Sequence, residues 1–196
     1  MRESETYAFP TLPDYLARGL VLVFVGINPG LYSVERGHYF ARPTSRFWPA
    51  FSRSTLSARI RARLGRDFLG PEDDARLLSF GLGFTDVVKV PSRNAAGLRR
   101  AHFQEWAPRL VGRILAYRPV VACFHGIMGY RPFVRYGLGS PETPRRLGAQ
   151  ALRIGGTRLF VVPNPSPANA HVGLRDQIAW YDRLATYIRR LAPHAL

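Results

Sequence analysis

Two turns of one kind stand far apart in the chain, Asn28-Pro29 and Asn164-Pro165, and each follows closely on an apolar run. An asparagine carboxamide donates and accepts hydrogen bonds, but it cannot remove a proton as a carboxylate would. Asn28 is therefore suited to holding a water molecule against an electrophilic carbon. Chemistry built on it must rest on positioning and electrostatics and be confined to good leaving groups. By residue type alone, a cap on the turn before Pro29 is the commoner role for Asn28, and it is the surrounding block of residues that favours the chemical one. Asp86, in Phe84-Thr85-Asp86-Val87-Val88, is a carboxylate inside an otherwise apolar, strand-like segment. Buried carboxylates have a partner or a task. At the carboxyl edge of a sheet Asp86 would be the base that Asn28 cannot be, or would steady a developing positive charge; elsewhere it would pair with an arginine or cap a turn. His38, His102, His125, His171 and His194 show no pairing at ligand spacing, and Cys123 is the only cysteine. Disulfides within the chain, four-cysteine iron–sulfur clusters and cysteine-rich zinc sites are thereby excluded, so no metal or other cofactor is expected. Lys89 is the sole lysine, at a strand end without an obvious desolvated pocket, so Schiff-base chemistry is not expected either.

The elements that must hold these residues are legible as alternating strands and helices. Leu20 to Ile27 is a continuous apolar run stopped by Asn28-Pro29-Gly30, the pattern of a strand buried on both faces. Pro119 to Phe124 repeats it before His125-Gly126, and Arg158 to Val162 before Pro163-Asn164-Pro165. A shorter run covers Phe84 to Val88, and Ala151 to Ile154 should pair with Arg158 to Val162 as a hairpin across Gly155-Gly156. Helical spacing covers Leu98 to Tyr117, where Pro108 should either kink the helix or mark its real start. Pro71 should open a helix, with Glu72, Asp73 and Asp74 near its positive end. The last helix spans about Leu174 to Leu191, with Leu174, Ile178, Tyr181, Leu184, Ile188 and Leu191 on one face. The expected fold is a three-layer α/β/α sandwich with a mainly parallel central sheet. Ligands of such sheets bind beyond the carboxyl ends of the strands, so both asparagines should face one crevice.

The chain of 196 residues, 46% hydrophobic, suits one well-buried core. We expect a single domain over residues 1–196, with residues 1–18 as an N-terminal extension packed on it. No export signal is visible, and the longest apolar stretch, Gly19 to Ile27, falls short of the roughly 18 residues a membrane span needs. A cytoplasmic protein without membrane contact is expected. The formal charge of +15, from 28 basic and 13 acidic residues, suits a polyanionic partner, foremost nucleic acid. Only Lys89 among the basic residues is not arginine, however, and the arginines are scattered, a skew that a GC-rich coding sequence also produces.

The block Gly26-Ile27-Asn28-Pro29-Gly30, followed by Gly37-His38-Tyr39-Phe40-Ala41-Arg42-Pro43 and Arg46-Phe47-Trp48, resembles the first motif of the mismatch-specific uracil- and thymine-DNA glycosylases. Asn164-Pro165-Ser166 matches that family's second motif, and the resemblance extends over about Leu20 to Tyr187. It implies a glycosylase of the uracil-DNA glycosylase type, acting as a monomer in base-excision repair. Such an enzyme everts a deaminated base from DNA and hydrolyses its bond to the sugar, leaving an abasic site. The uracil anion leaves well and the sugar develops oxocarbenium character, so no strong nucleophile is required. By resemblance, Asn28 holds the water, Phe40 stacks on the everted base, and backbone groups near Gly26, Ile27, Tyr39 and Phe40 bond its edge. Ser33 and His38 line the pocket, and Asn164 supports charge on the leaving base. Gly30 stands where strictly uracil-specific relatives carry a tyrosine that excludes a 5-methyl group, so larger 5-substituents, thymine opposite guanine among them, should be admitted. Arg42 and the loop Ser166, Pro167, Ala168 and Asn169 should contact DNA, the loop entering the gap left by the everted nucleotide.

Two departures from the family pattern matter. Relatives commonly have Asn-Pro-Ser-Gly and then a bulky wedge, whereas this chain has Pro167 and the small Ala168, which weakens the expected preference for guanine opposite the lesion and favours single-stranded substrates. Ser45 stands where relatives often have asparagine. The competing reading is a catalytically silent nucleic-acid-binding protein on the same fold; a nucleoside-hydrolysing enzyme fits the fold but not the charge.

Overall fold

The structure, a computed structural model, describes residues 7–141 and 144–193. Five strands, β1 (Leu22–Gly26), β2 (Leu82–Asp86), β3 (Val121–His125), β4 (Gly148–Ile154) and β5 (Thr157–Val162), form one sheet in the order β2-β1-β3-β5-β4. All neighbours pair in parallel except β4, which returns antiparallel to β5. Side chains alternate across a strand, so each apolar run supplies two cores. Leu22, Phe24, Phe84, Cys123 and Val162 face one layer, and Val23, Val25, Ala122, Phe124 and Val161 the other. The first layer contains α2 (Phe47–Arg53) and α6 (Leu174–Leu191); the second contains α4 (Arg100–Tyr117) and α5 (Ile127–Gly137). Two short helices, α1 (Leu31–Arg36) and α3 (Ala58–Leu64), complete the set. This is the three-layer α/β architecture with a mainly parallel sheet that the sequence predicts.

Three differences in detail bear on the site. The strand expected over Phe84 to Val88 runs from Leu82 to Asp86, so Asp86 is not mid-strand but the last strand residue, level with Gly26 of β1. The segment opening at Pro71 is not an α-helix but two 3-10 turns, Pro71–Asp73 and Ala75–Phe80. Of the two roles open to Pro108, the start of the helix is ruled out, because α4 runs through it from Arg100. Residues 1–6 of the expected N-terminal extension lie outside the described residues. From Tyr7 onward the extension covers the outer edge of β2, where Tyr15 and Phe84 exchange backbone hydrogen bonds of 2.9 and 3.0 Å. Tyr7, Phe9 and Leu16 pack on one core, and Leu12 and Tyr15 on the other. Among the described residues no helix is long and apolar enough to cross a membrane.

Candidate active site

The register of β1, β3 and β5 brings the Asn28 and Asn164 turns to the same rim of the sheet, with the end of β3 between them. Gly126, which follows β3 at φ +97°, lies so close to the second turn that a Cβ there would stand 3.0 Å from the Cβ of Asn164. A Cβ on Gly129 would stand 2.6 Å from Cγ1 of Ile27. Segment 126–129 is thus wedged between the two motifs.

Beyond the strands, the exits of β1 and β2 stay zipped together. The N–H groups of Val87, Val88 and Ser92 donate to the carbonyls of Gly26, Ile27 and Pro29 at 2.9, 3.0 and 3.1 Å. Asn28 closes this ladder with its side chain, Nδ2 lying 3.0 Å from the Val90 carbonyl, 2.8 Å from Ser92 Oγ and 3.2 Å from the Pro29 carbonyl. Two amide protons shared among three acceptors fix which end of the carboxamide is nitrogen. The Ser92 hydroxyl proton goes to the Asn94 carbonyl, at 2.7 Å, which leaves its lone pair for Asn28. Asn28 Oδ1 is thereby turned away from the ladder, a fixed acceptor suited to orienting water. Ser92, which sets this geometry, carried no signal in the sequence.

The Phe40 loop is held from beneath. Ser33 is buried, its Oγ accepting from the Ala41 N–H at 3.2 Å, while its carbonyl accepts from the His38 N–H at 3.1 Å. Ser33 therefore supports the loop. Tyr39 requires a correction: its N–H donates to Asp74 Oδ2 at 2.9 Å, its carbonyl accepts from Trp48 Nε1 at 2.9 Å, and its hydroxyl donates to the Pro13 carbonyl at 3.0 Å. Its side chain is core, so every polar group of Tyr39 is engaged away from a base edge. His38 Nδ1 stands 3.2 Å from Asp74 Oδ1, so this histidine is tethered and not simply solvated. Burial pushes the Asp74 carboxyl up, while hydrogen bonds from Tyr39 and His38 pull it down. Phe40 itself adopts φ +54°, a conformation that side-chain-bearing residues rarely occupy and that clusters at functional loops. Its half-buried ring stacks on Phe47 at 4.2 Å and 9°, with the His125 ring 4.9 Å away. Burial drives the His125 imidazole down to about 3, so it is neutral at physiological pH, and its Nε2 meets the Tyr181 hydroxyl at 3.0 Å.

The second turn is equally constrained. Asn164 Oδ1 accepts from the Ser166 N–H at 2.9 Å, which occupies its carbonyl and leaves its amide nitrogen as the donor. Asn169 Nδ2 donates to the Asn164 carbonyl at 3.1 Å and so closes the loop with one of its two amide protons. Pro167 and Ala168 are exposed, as is Arg42. Arg46 joins the two motifs directly: its N–H donates to the Pro165 carbonyl at 2.9 Å, and its guanidinium to the carbonyls of Ser166 at 3.1 Å and Asn169 at 2.6 Å. The sequence marks Arg46 only as part of the first motif and assigns it no role.

Asp86 is 2% exposed and lies against Gly26, where any Cβ would collide with its Oδ1. Glycine at 26 is therefore the space the carboxylate occupies. Burial raises Asp86 to about 7, with Lys89 pulling down, Asp14 pushing up and Arg113 pulling down. Lys89 also differs from expectation. It is fully buried, with Nζ 2.9 Å from Asp14 Oδ1, 3.3 Å from the Tyr39 hydroxyl and 3.9 Å from Asp86 Oδ2. The desolvation comes from the N-terminal extension, whose Asp14 also meets Arg113 at 3.1 Å and accepts from the Thr85 hydroxyl at 2.7 Å. Lys89 is a structural cation enclosed by these groups.

A buried carboxylate raised to about 7 and two carboxamides, those of Asn28 and Asn164, thus stand on one rim of the sheet, groups of the kind that orient and deprotonate water. The chain resembles the solution NMR structure of a provisionally assigned uracil DNA glycosylase from Methanosarcina acetivorans, with a TM-score of 0.53 and 19% identity over 92% of this chain and 96% of that one, a likeness of fold. The sequence profile of the Uracil DNA glycosylase superfamily matches residues 13–185, from the extension that encloses Lys89 to the last helix, and the chain belongs to that superfamily.

Proposed function

We propose that the protein is a monofunctional DNA glycosylase that removes uracil, and other deaminated or 5-substituted bases, from mismatched or single-stranded DNA. The observation that carries this reading is the placement of Asn28 Oδ1, held by the Val90 and Ser92 contacts on the rim it shares with Asn164. In this reading Asn28 orients a water against C1′ of the everted nucleotide. The water oxygen bonds C1′ as the bond from C1′ to the base nitrogen breaks, and that electron pair leaves with the base. The water proton passes to ionised Asp86, directly or through one bridging water, and the Asn164 amide donates to the oxygen of the departing anion. Phe40, braced by Phe47, stacks on the base, and its strained backbone aims the loop. Arg42 and the loop from Ser166 to Asn169 bear on the DNA. Gly30 supports the broad substrate range, because its φ of −73° and ψ of 144° suit any residue and a Cβ there meets nothing within 4 Å. Glycine is thus not demanded by the fold at this position.

Incubation with labelled oligonucleotides containing uracil, followed by alkali, tests the reading. Strand scission only after alkali is expected from the wild type and is lost, by about two orders of magnitude in rate, in Asn28→Ala. Salt-sensitive binding without base release would leave a silent DNA-binding protein instead.

A further inference from the structure

Among the described residues only four large apolar side chains are substantially exposed, and Met128, at 71%, is the most exposed of them. Leu115 lies beside Gly155 at the opposite end of the sheet, and Phe68 is covered by the Arg53 guanidinium at 5.2 Å. Leu31 and Met128 remain, both on the carboxyl rim, and Met128 belongs to the segment wedged between Ile27 and Asn164. The close approaches of Gly126 to Asn164 and of Gly129 to Ile27 clamp the backbone on either side of Met128. Its side chain nevertheless stands in solvent. A solvent-facing thioether gains nothing for folding, whereas an unbranched, polarisable chain on a rigid mount suits insertion between stacked bases. The loop from Asn164 to Asn169 offers only Pro167 and Ala168 as exposed apolar groups, too small to fill the space of an everted nucleotide.

We propose that Met128 is the apolar wedge of this enzyme, pressing into the duplex beside the everted nucleotide from the α5 side and supplying the bulk that Ala168 lacks. The partner is therefore stacked duplex DNA, and the inference rests on the glycosylase reading above. Its signature is the ratio of excision from a uracil·guanine duplex to excision of the same uracil in a single strand, since only the duplex needs unstacking.

Single-turnover rates on both substrates, for wild type, Met128→Ala, Met128→Leu and Leu31→Ala, test the idea, together with fluorescence of 2-aminopurine placed beside the lesion. Met128→Ala should lower the duplex-to-single-strand ratio about tenfold and abolish the fluorescence rise on binding duplex. Met128→Leu should restore both, and Leu31→Ala should keep the wild-type ratio. An unchanged ratio in Met128→Ala, or an equal fall in Leu31→Ala, overturns the proposal. Should the wild type release no base at all, the glycosylase reading fails, while the 2-aminopurine signal of Met128→Ala against wild type still decides whether Met128 unstacks the duplex.

Discussion

The burial of Asp86 fixes how excision should depend on pH. Its carboxyl is raised to about 7, first by loss of water, with Lys89 and Arg113 opposing the rise and Asp14 adding to it. If the ionised form takes the proton of the attacking water, the rate follows the ionised fraction. That fraction is roughly one-tenth a unit below the midpoint and roughly nine-tenths a unit above it, so the single-turnover rate should climb on the order of tenfold between about pH 6 and about pH 8. His125, held down to about 3, adds no inflection in this window. Asp86→Asn preserves size and burial but cannot accept the proton, so its residual rate should be low and flat across the same range. Stability should move the other way. A folded value above the unfolded one means that the native state favours protonated Asp86; the contribution is fully present below about pH 4 and is lost as pH rises through about 7. A shift from 3.8 to about 7 corresponds to roughly 4 kcal/mol at full burial. Asp86→Asn should therefore melt higher than wild type at pH 8, with the difference vanishing near pH 4. Rates by base release and melting by circular dichroism suffice for both. A flat wild-type profile, or an Asp86→Asn protein with the wild-type rate, would refute the assignment of Asp86 as the base.

Three further outcomes follow from contacts around the rim. Arg46→Ala removes the guanidinium bonds to the Ser166 and Asn169 carbonyls, each charge-assisted bond being worth about 1.5–3 kcal/mol; accelerated amide exchange confined to residues 164–172, with weaker duplex binding, is expected. Uniform exchange across the chain would show that Arg46 does not hold the loop. Gly30→Tyr should fold like wild type, since the position is open and extended, and should cut excision of thymine far more than that of uracil in competition assays; equal loss of both would sink the open-wall account. Asp14→Ala leaves the fully buried Lys89 without its nearest carboxylate and should cost about 3–5 kcal/mol in urea unfolding, whereas a change under about 1 kcal/mol would mean that Lys89 finds another partner.

What the sequence disclosed and what it hid divide along the range of the interactions. The strand exits were legible because an apolar run ended by Asn-Pro is a local signal, and a parallel sheet places such exits on one rim whatever lies between them. The ends of β2 were not, because Phe84 to Val88 and Leu82 to Asp86 are comparably apolar windows and only pairing with β1 chooses between them. The same limit governed Tyr39 and Lys89. One became an anchor through Asp74 and Trp48, the other was desolvated by an extension more than seventy residues earlier, and neither fact has a trace in neighbouring residues. Arg46 is the extreme case, since its acceptors are main-chain carbonyls, which every residue possesses. A motif can thus name the groups that meet a substrate, but the groups that hold them bond largely to backbone and to distant charges. In this protein those holding contacts orient Asn28 and, beneath the larger effect of burial, adjust the proton affinity of Asp86, so variation between relatives in rate and pH response should map onto Ser92, Lys89 and Asp14 as readily as onto the motifs themselves.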